Sequence, residues 1–339
     1  MLRMPQKLLE TFAKLSRSKL QAQPHGIRSY FSKRKKETDP EINLEKGCLQ
    51  RSLLILLILS LILSSICNKA QAARFKYAFS LAKAPDGTPL HHPFSIFIDP
   101  KVKRIYVTDV ANNRLVSYDF AGKPLKAFNA AGKLKGPIFM IKDENILWVV
   151  ERPLNSLTLI NLKDRIFKRN NLTWGRRPIL VDRIATWGKN VVVLDRASGR
   201  VFLLNQYLEI QKIFPSKKLK TFNGIYDIKI KGNWLWGLEN MSSKLYAFNL
   251  NDGSFHSLTL KKQMVVPVSF DIDSAGNIYV LDRDLKKVFV FDKKGNFKYS
   301  FLQEGFRPGQ DLYPSNLVIY ENYLFLVDEG NGRIDVWQR

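Results

Sequence analysis

Six short apolar runs, each ending in an acid, recur through the last four fifths of this 339-residue chain. They are YVTD at Asp109, WVVE at Glu151, VVLD at Asp195, WGLE at Glu239, YVLD at Asp282 and FLVD at Asp328, spaced by 42, 44, 44, 43 and 46 residues. Five positions after each acid stand Arg114, Ser156, Arg200, Lys244, Lys287 and Arg333, and each opens a further alternating apolar run. Alternation of period two, broken by turn residues every ten or so positions, is the pattern of short antiparallel strands. Four strands in about 44 residues is the size of one propeller blade. Six units make a ring, in which radial repetition leaves little sheet edge exposed.

The ends of the repeat region carry a second constraint. The last unit stops at its third strand, RIDVWQR, while RFKYAFSLA precedes the first unit and alternates through Phe75, Tyr77, Phe79 and Leu81. An unpaired strand at the front and a missing one at the back predict that residues 74–82 join the last blade and cover both edges, which would otherwise invite aggregation. The fold class predicted is all-β: a single six-bladed β-propeller over residues 73–339.

Within each unit a proline opens the first strand, at Pro93, Pro137, Pro178, Pro267 and Pro314, with Gly224 in its place in the fourth. Residues 92–124, HPFSIFIDPKVKRIYVTDVANNRLVSYDFAGKP, and 313–339, YPSNLVIYENYLFLVDEGNGRIDVWQR, resemble the NHL-repeat family: a proline-led strand, a strand ending in Asp, an Asn/Gly turn, Arg, then an apolar strand. The second and fourth units match loosely, with Glu for Asp. The resemblance implies a six-bladed ring and no single activity, because fold and function are separable.

Residues 53–67, LLILLILSLILSSIC, form an apolar run too short for a membrane-spanning helix of about 20 residues. Arg51 before it and KAQA after it complete the pattern of a secretory signal peptide cleaved after Ala72. The expected organisation is a basic extension over 1–50, a signal peptide over 51–72 and the propeller over 73–339, with export to the periplasm or beyond. The alternatives are an inner-membrane anchor made by 53–67 and a lipoprotein attached at Cys67. Translation beginning at Leu49 would shorten the leader to ordinary size.

Cys48 and Cys67 both precede Ala73, so disulfides, thiolate metal sites and cysteine nucleophiles are excluded from the body. From Ala73 onward 41 basic residues face 25 acidic ones, a surplus of 16 that favours anionic partners. The acid-to-base turn repeated around the ring reads as a hairpin corner, an Asp accepting turn N–H groups with a cation across from it. A partly exposed pair of this kind stabilises by roughly 0–1 kcal/mol. The body's histidines are His91, His92 and His256, too few for the convergent ligands of a zinc site. Phosphate-loop, serine-hydrolase, zincin and EF-hand motifs are missing. A central calcium of the lactonase kind would have to draw on Asn155, Asn240 and Asp273, whose spacing does not select them.

Loops leading into the first strands share one face with the turns between second and third strands. Arg176, Arg177, Lys217, Lys218, Lys220, Lys261, Lys262 and Arg307 lie in those loops, interleaved with Trp174, Phe222, Phe306 and Tyr313. Arg152, Arg196 and Arg283 follow repeat acids on the same side. Arginine forks grip anions and aromatic faces stack on rings, so the expected partner is an anionic envelope component or an acidic protein. Export argues against nucleic acid. The function expected is non-catalytic binding by a monomeric scaffold without cofactor. The alternative is a metal-dependent lactonase- or lyase-type hydrolase with its site in the central channel.

Overall fold

The computed structural model describes residues 75–216 and 222–339. The extension, the apolar run 53–67 and the cleavage site therefore lie outside the described residues, as do Lys217, Lys218 and Lys220.

The described chain is a six-bladed β-propeller of four-stranded antiparallel sheets. Blade 1 runs through Pro93–Asp99, Arg104–Asp109, Arg114–Tyr118 and Pro124–Phe128. Blade 2 comprises Pro137–Asp143, Ile146–Glu151, Ser156–Asn161 and Ile166–Asn170. Blade 3 uses Val181–Trp187, Asn190–Asp195, Val201–Leu204 and Ile210–Phe214. Blade 4 holds Asp227–Lys231, Trp234–Glu239, Lys244–Asn249 and Phe255–Thr259, and blade 5 Pro267–Ile272, Ile278–Asp282, Lys287–Phe291 and Phe297–Phe301. Blade 6 takes Pro314–Tyr320, Tyr323–Asp328 and Arg333–Gln338, and its outermost strand is Lys76–Leu81. That strand runs antiparallel to Arg333–Gln338, with Leu81 opposite Ile334 and Lys76 opposite Gln338.

The first strands touch in cyclic order around the axis. Second and third strands carry the apolar alternation and are the most buried; fourth strands, such as Pro124–Phe128 and Phe255–Thr259, face solvent. The core lies between sheets. One cluster joins Ile105 and Val116 of blade 1 to Phe325, Val327 and Val336 of blade 6. Another joins Phe75 to Val288 and Val290 of blade 5 and Leu324 and Leu326 of blade 6.

Two blades depart from the proline-led frame. In four of them the opening proline stands opposite the repeat acid: Pro93 with Asp109, Pro137 with Glu151, Pro267 with Asp282 and Pro314 with Asp328. In blade 3 Asp195 faces Val181, three residues beyond Pro178. Pro178 instead belongs to a small ribbon in which Thr173–Trp174 pairs with Arg177–Pro178. In blade 4 Asp227 pairs with Leu238, next to the acid, so the frame runs one residue past Gly224. Extra residues in the lead-in loops take up the difference.

Candidate functional site: an arginine-lined pocket at the axis

The repeat acids organise one face of the ring. Asp109, Glu151, Glu239, Asp282 and Asp328 are wholly buried and Asp195 nearly so. Each carboxylate accepts a backbone N–H from the loop leading into its own blade: His91 to Asp109, Lys135 to Glu151, Leu180 to Asp195 and Asn223 to Glu239. Val265 and Val266 donate to Asp282, and Leu312 and Tyr313 to Asp328. The acid thus latches the lead-in loop beside the turn between second and third strands.

The cation expected across the hairpin is the exception. Arg114 Nε lies 2.6 Å from Asp109, and Arg333 lies 3.5 Å from Asp328. Arg200 donates instead to the Pro215 carbonyl, while Asp195 takes the Ser198 hydroxyl. In blade 2 the cation comes from the fourth strand, with Arg169 Nε 2.9 Å from Glu151. Burial raises the Glu151 carboxyl, but Arg169, Thr158 and the Lys135 N–H outweigh it and hold the group below its ordinary value. These carboxylates are enclosed, so the partly exposed pair expected from the sequence is replaced by a buried N–H latch.

Two residues after each frame position, the first strand turns a side chain to the axis. The six equivalents are Ser95, Phe139, Arg183, Asp227, Ser269 and Asn316, all buried. Four of them, Arg183, Asp227, Ser269 and Asn316, form a circumferential network. Arg183 Nε lies 3.4 Å from Asp227, and Asp227 accepts the Ser269 hydroxyl. Asn316 donates to Ser269 and accepts the Ile96 N–H of blade 1. Arg183 also pairs with Asp182 at 2.9 Å, and its guanidinium lies over the rings of Phe94 and Phe139. A guanidinium only 2% exposed is costly to desolvate, and here two carboxylates and two aromatic faces offset that cost.

Above this layer is a cavity of about 200 Å³ lined by Arg152, Arg183, Arg196, Arg283, Asp182, Phe94, Tyr226, Leu194 and Ile225. Arg152 pairs with Asp182 at 2.8 Å and stacks on Phe94. Arg283 donates to the Pro314 carbonyl and stacks on Tyr313 at 4.6 Å. Among the described residues the Arg196 guanidinium has no hydrogen bond or ion pair. The buried Nε of Arg152 has no hydrogen-bond partner there either, while that of Arg183 faces Asp227 at 3.4 Å. Four guanidinium groups thus face one lining carboxylate, with N–H donors to spare. Such a site suits a planar or tetrahedral oxyanion held by forked N–H groups.

The sequence placed Arg152, Arg196 and Arg283 on this face but not around one cavity, and it passed over Arg183 and Asp182 altogether. Their signal was a charged pair inside an otherwise apolar first strand, VDRIATW, hidden by framing blade 3 from Pro178. The rim cations stand on separate lead-in loops. Arg176, Arg177 and Arg307 are exposed. Lys261 donates to Asn296, and Lys262 lies over Phe297, so both turn toward the outer hairpin of blade 5 rather than the axis. Trp174 packs edge-on against Phe202 and Phe222 against Tyr246, leaving Phe306 and Tyr313 the more exposed aromatics.

The other candidates are scattered. His256 sits between Trp234 and Trp236 on the outside of blade 4, and exposed His92 faces Glu329 at 3.6 Å. Asn155 caps the turn after the second strand of blade 2, donating to the Ile179 carbonyl. Asp273 closes the opposite-end hairpin of blade 5, held by Asn277 and by Arg339 at 2.7 Å. The two therefore cannot share one ion, and Asn240 lies in the strand 2–3 turn of blade 4. A separate cluster appears in blade 6, where Asp311, Asp328 and Asp335 are buried with carboxylate oxygens within 4.8 Å of one another. Burial, then the charges of Asp328 and Asp335, push Asp311 up to about 9.

No family model and no curated protein matches the chain. Solved structures do share its fold. A streptogramin B lyase is 14% identical at a TM-score of 0.53, over 78% of this chain and 87% of its own. A catalytically inactive virginiamycin B lyase of Staphylococcus aureus, solved with quinupristin, is 12% identical at 0.55, over 78% of this chain and 100% of its own. The Cps50 (Swd1) propeller domain of Myceliophteria thermophila is 11% identical at 0.57, with the same coverages. At such identities the likeness shows the propeller fold and nothing finer.

Proposed function

We propose that this chain is an exported NHL-type binding propeller that captures an anionic envelope component or an acidic partner through the arginine pocket. The basic loops of the same face extend the contact. The observation that supports this reading is the convergence of Arg152, Arg183, Arg196 and Arg283 on one cavity with Asp182 as its single lining acid. The cationic surplus of the body steers anions toward that face, and a concave basic site concentrates them. Export rests on the apolar run 53–67 and the KAQA site after it, and ring closure on strand Lys76–Leu81.

Retention on a lipopolysaccharide or heparin resin tests the binding role. Arg152→Gln with Arg283→Gln should elute at markedly lower salt than the wild type while melting alongside it. Co-elution of the two proteins would remove the pocket from the binding function. Turnover of lactone substrates by the purified chain, lost in the same variant, would instead favour the lactonase- or lyase-type alternative in the central channel.

A further inference from the structure

We infer that blade 6 carries a divalent-cation site of the calcium class, built from Asp311, Asp328 and Asp335. The three come from different parts of the blade. Asp311 lies on the lead-in loop, Asp328 ends the second strand, and Asp335 sits within the third. All are wholly enclosed, and one oxygen from each lies within 4.8 Å of the others. Two oxygens bound to one calcium ion at about 2.3–2.6 Å can be no more than about 5 Å apart, so the cluster matches the ion's span.

A second observation points to a ligand. Asp311 is 0% exposed, and among the described residues neither of its oxygens has a hydrogen-bond partner. Buried polar groups are nearly always satisfied, and one orphaned on both oxygens marks a missing partner. Its neighbours are already engaged. Asp328 holds the N–H groups of Leu312 and Tyr313 and the Asn331 amide. Asp335 accepts from the Ser80 hydroxyl and the Gly309 N–H.

Charge balance gives the valence. Arg333 is the cation beside the cluster, 3.0 Å from Asp335 and 3.5 Å from Asp328. It is also anchored by the carbonyls of Phe306, Arg307 and Gln310, which fix it to one side of the cluster. Once a bound cation displaces the proton that burial keeps on Asp311, three ionised carboxylates and one guanidinium carry a formal charge of −2, which an enclosed site holds only with a compensating ion. A divalent ion neutralises it and supplies the partner Asp311 lacks. Bound there, the ion ties the lead-in loop to the second and third strands, and through Ser80 to strand Lys76–Leu81. The site would act as a clasp on the blade where the chain's two described ends meet.

The test uses the full chain, stripped with EDTA and then titrated with CaCl2 by calorimetry and thermal melting. Saturating calcium should produce a binding isotherm near one ion per chain. At a hundredfold excess over Kd it should raise Tm by about 4–8 °C. Asp311→Asn, which keeps the shape of the neutral carboxyl but cannot supply an anionic ligand, should fold and lose that response, whereas Asp273→Asn should keep it. The inference is overturned if calcium, magnesium and manganese all leave wild-type heat and Tm unchanged. It is equally overturned if Asp311→Asn retains the full calcium shift.

Discussion

At the scale of single residues, the six repeat acids show what a recurring carboxylate is for. Only in blades 1 and 6 does the basic residue five positions on reach its acid, yet in all six blades a lead-in N–H does. The recurrence was visible in the sequence, but the true partner was not, because a backbone N–H has no letter. Arg169 was equally invisible as the cation of Glu151, since it comes from another strand, 18 residues away. Removing it leaves a buried carboxylate short of its strongest donor. Arg169→Met should therefore lower stability by about 1–3 kcal/mol at pH 7. The sign with pH follows from the depressed carboxyl. Its contribution is present above the unfolded value of 4.5 and lost as pH falls through the lower folded value. The gap between variant and wild type in urea unfolding should thus be wide at pH 7 and shrink progressively as pH falls below 4.5.

At the scale of elements, blade count and strand order were legible because alternation and acid spacing repeat, while the offsets in blades 3 and 4 were not. Gly224 illustrates why. By sequence spacing it takes the place of the opening proline, but in the structure it lies one residue before that frame position and packs against Gly199, where an added Cβ would lie 2.3 Å from the Gly224 Cα. Gly199 also has φ +63°, in the left-handed region. A Gly→Ala exchange at a compatible position stabilises by about 0.4–1 kcal/mol, whereas Gly199→Ala should destabilise by more than that (roughly 2 kcal/mol), read as a fall in the denaturation midpoint. The strand Lys76–Leu81 is proposed to clasp the ring. Phe75 sits in the core between blades 5 and 6, under the Arg339 guanidinium at 4.4 Å. A chain beginning at Lys83 should lose this packing and expose two edges, so it should melt well below the longer protein. Melting within a degree or two of it would refute the clasp.

For the whole molecule, a surplus of positive charge was readable from composition, but its focus was not. Loop position suggested a broad rim, whereas the fold carries Arg152, Arg183 and Arg283 inward and turns Lys261 and Lys262 outward. Rim and pocket should therefore separate experimentally. Neutralising Arg176, Arg177, Lys261 and Lys262 to Gln should leave stability within about 0.5 kcal/mol. It should mainly slow association with an anionic resin and flatten its salt dependence, since exposed charges are screened over about 10 Å at 0.1 M and about 3 Å at 1 M salt. The pocket variant should instead shorten residence on the same resin. The most direct measurement is a calorimetric titration of the full chain with pyrophosphate at two salt concentrations, wild type against Arg152→Gln with Arg283→Gln. The wild type should bind saturably and the variant at least tenfold more weakly, a loss of about 1.4 kcal/mol. Equal affinity in the two proteins, or no binding by the wild type at low salt, would rule out the arginine pocket as the anion site.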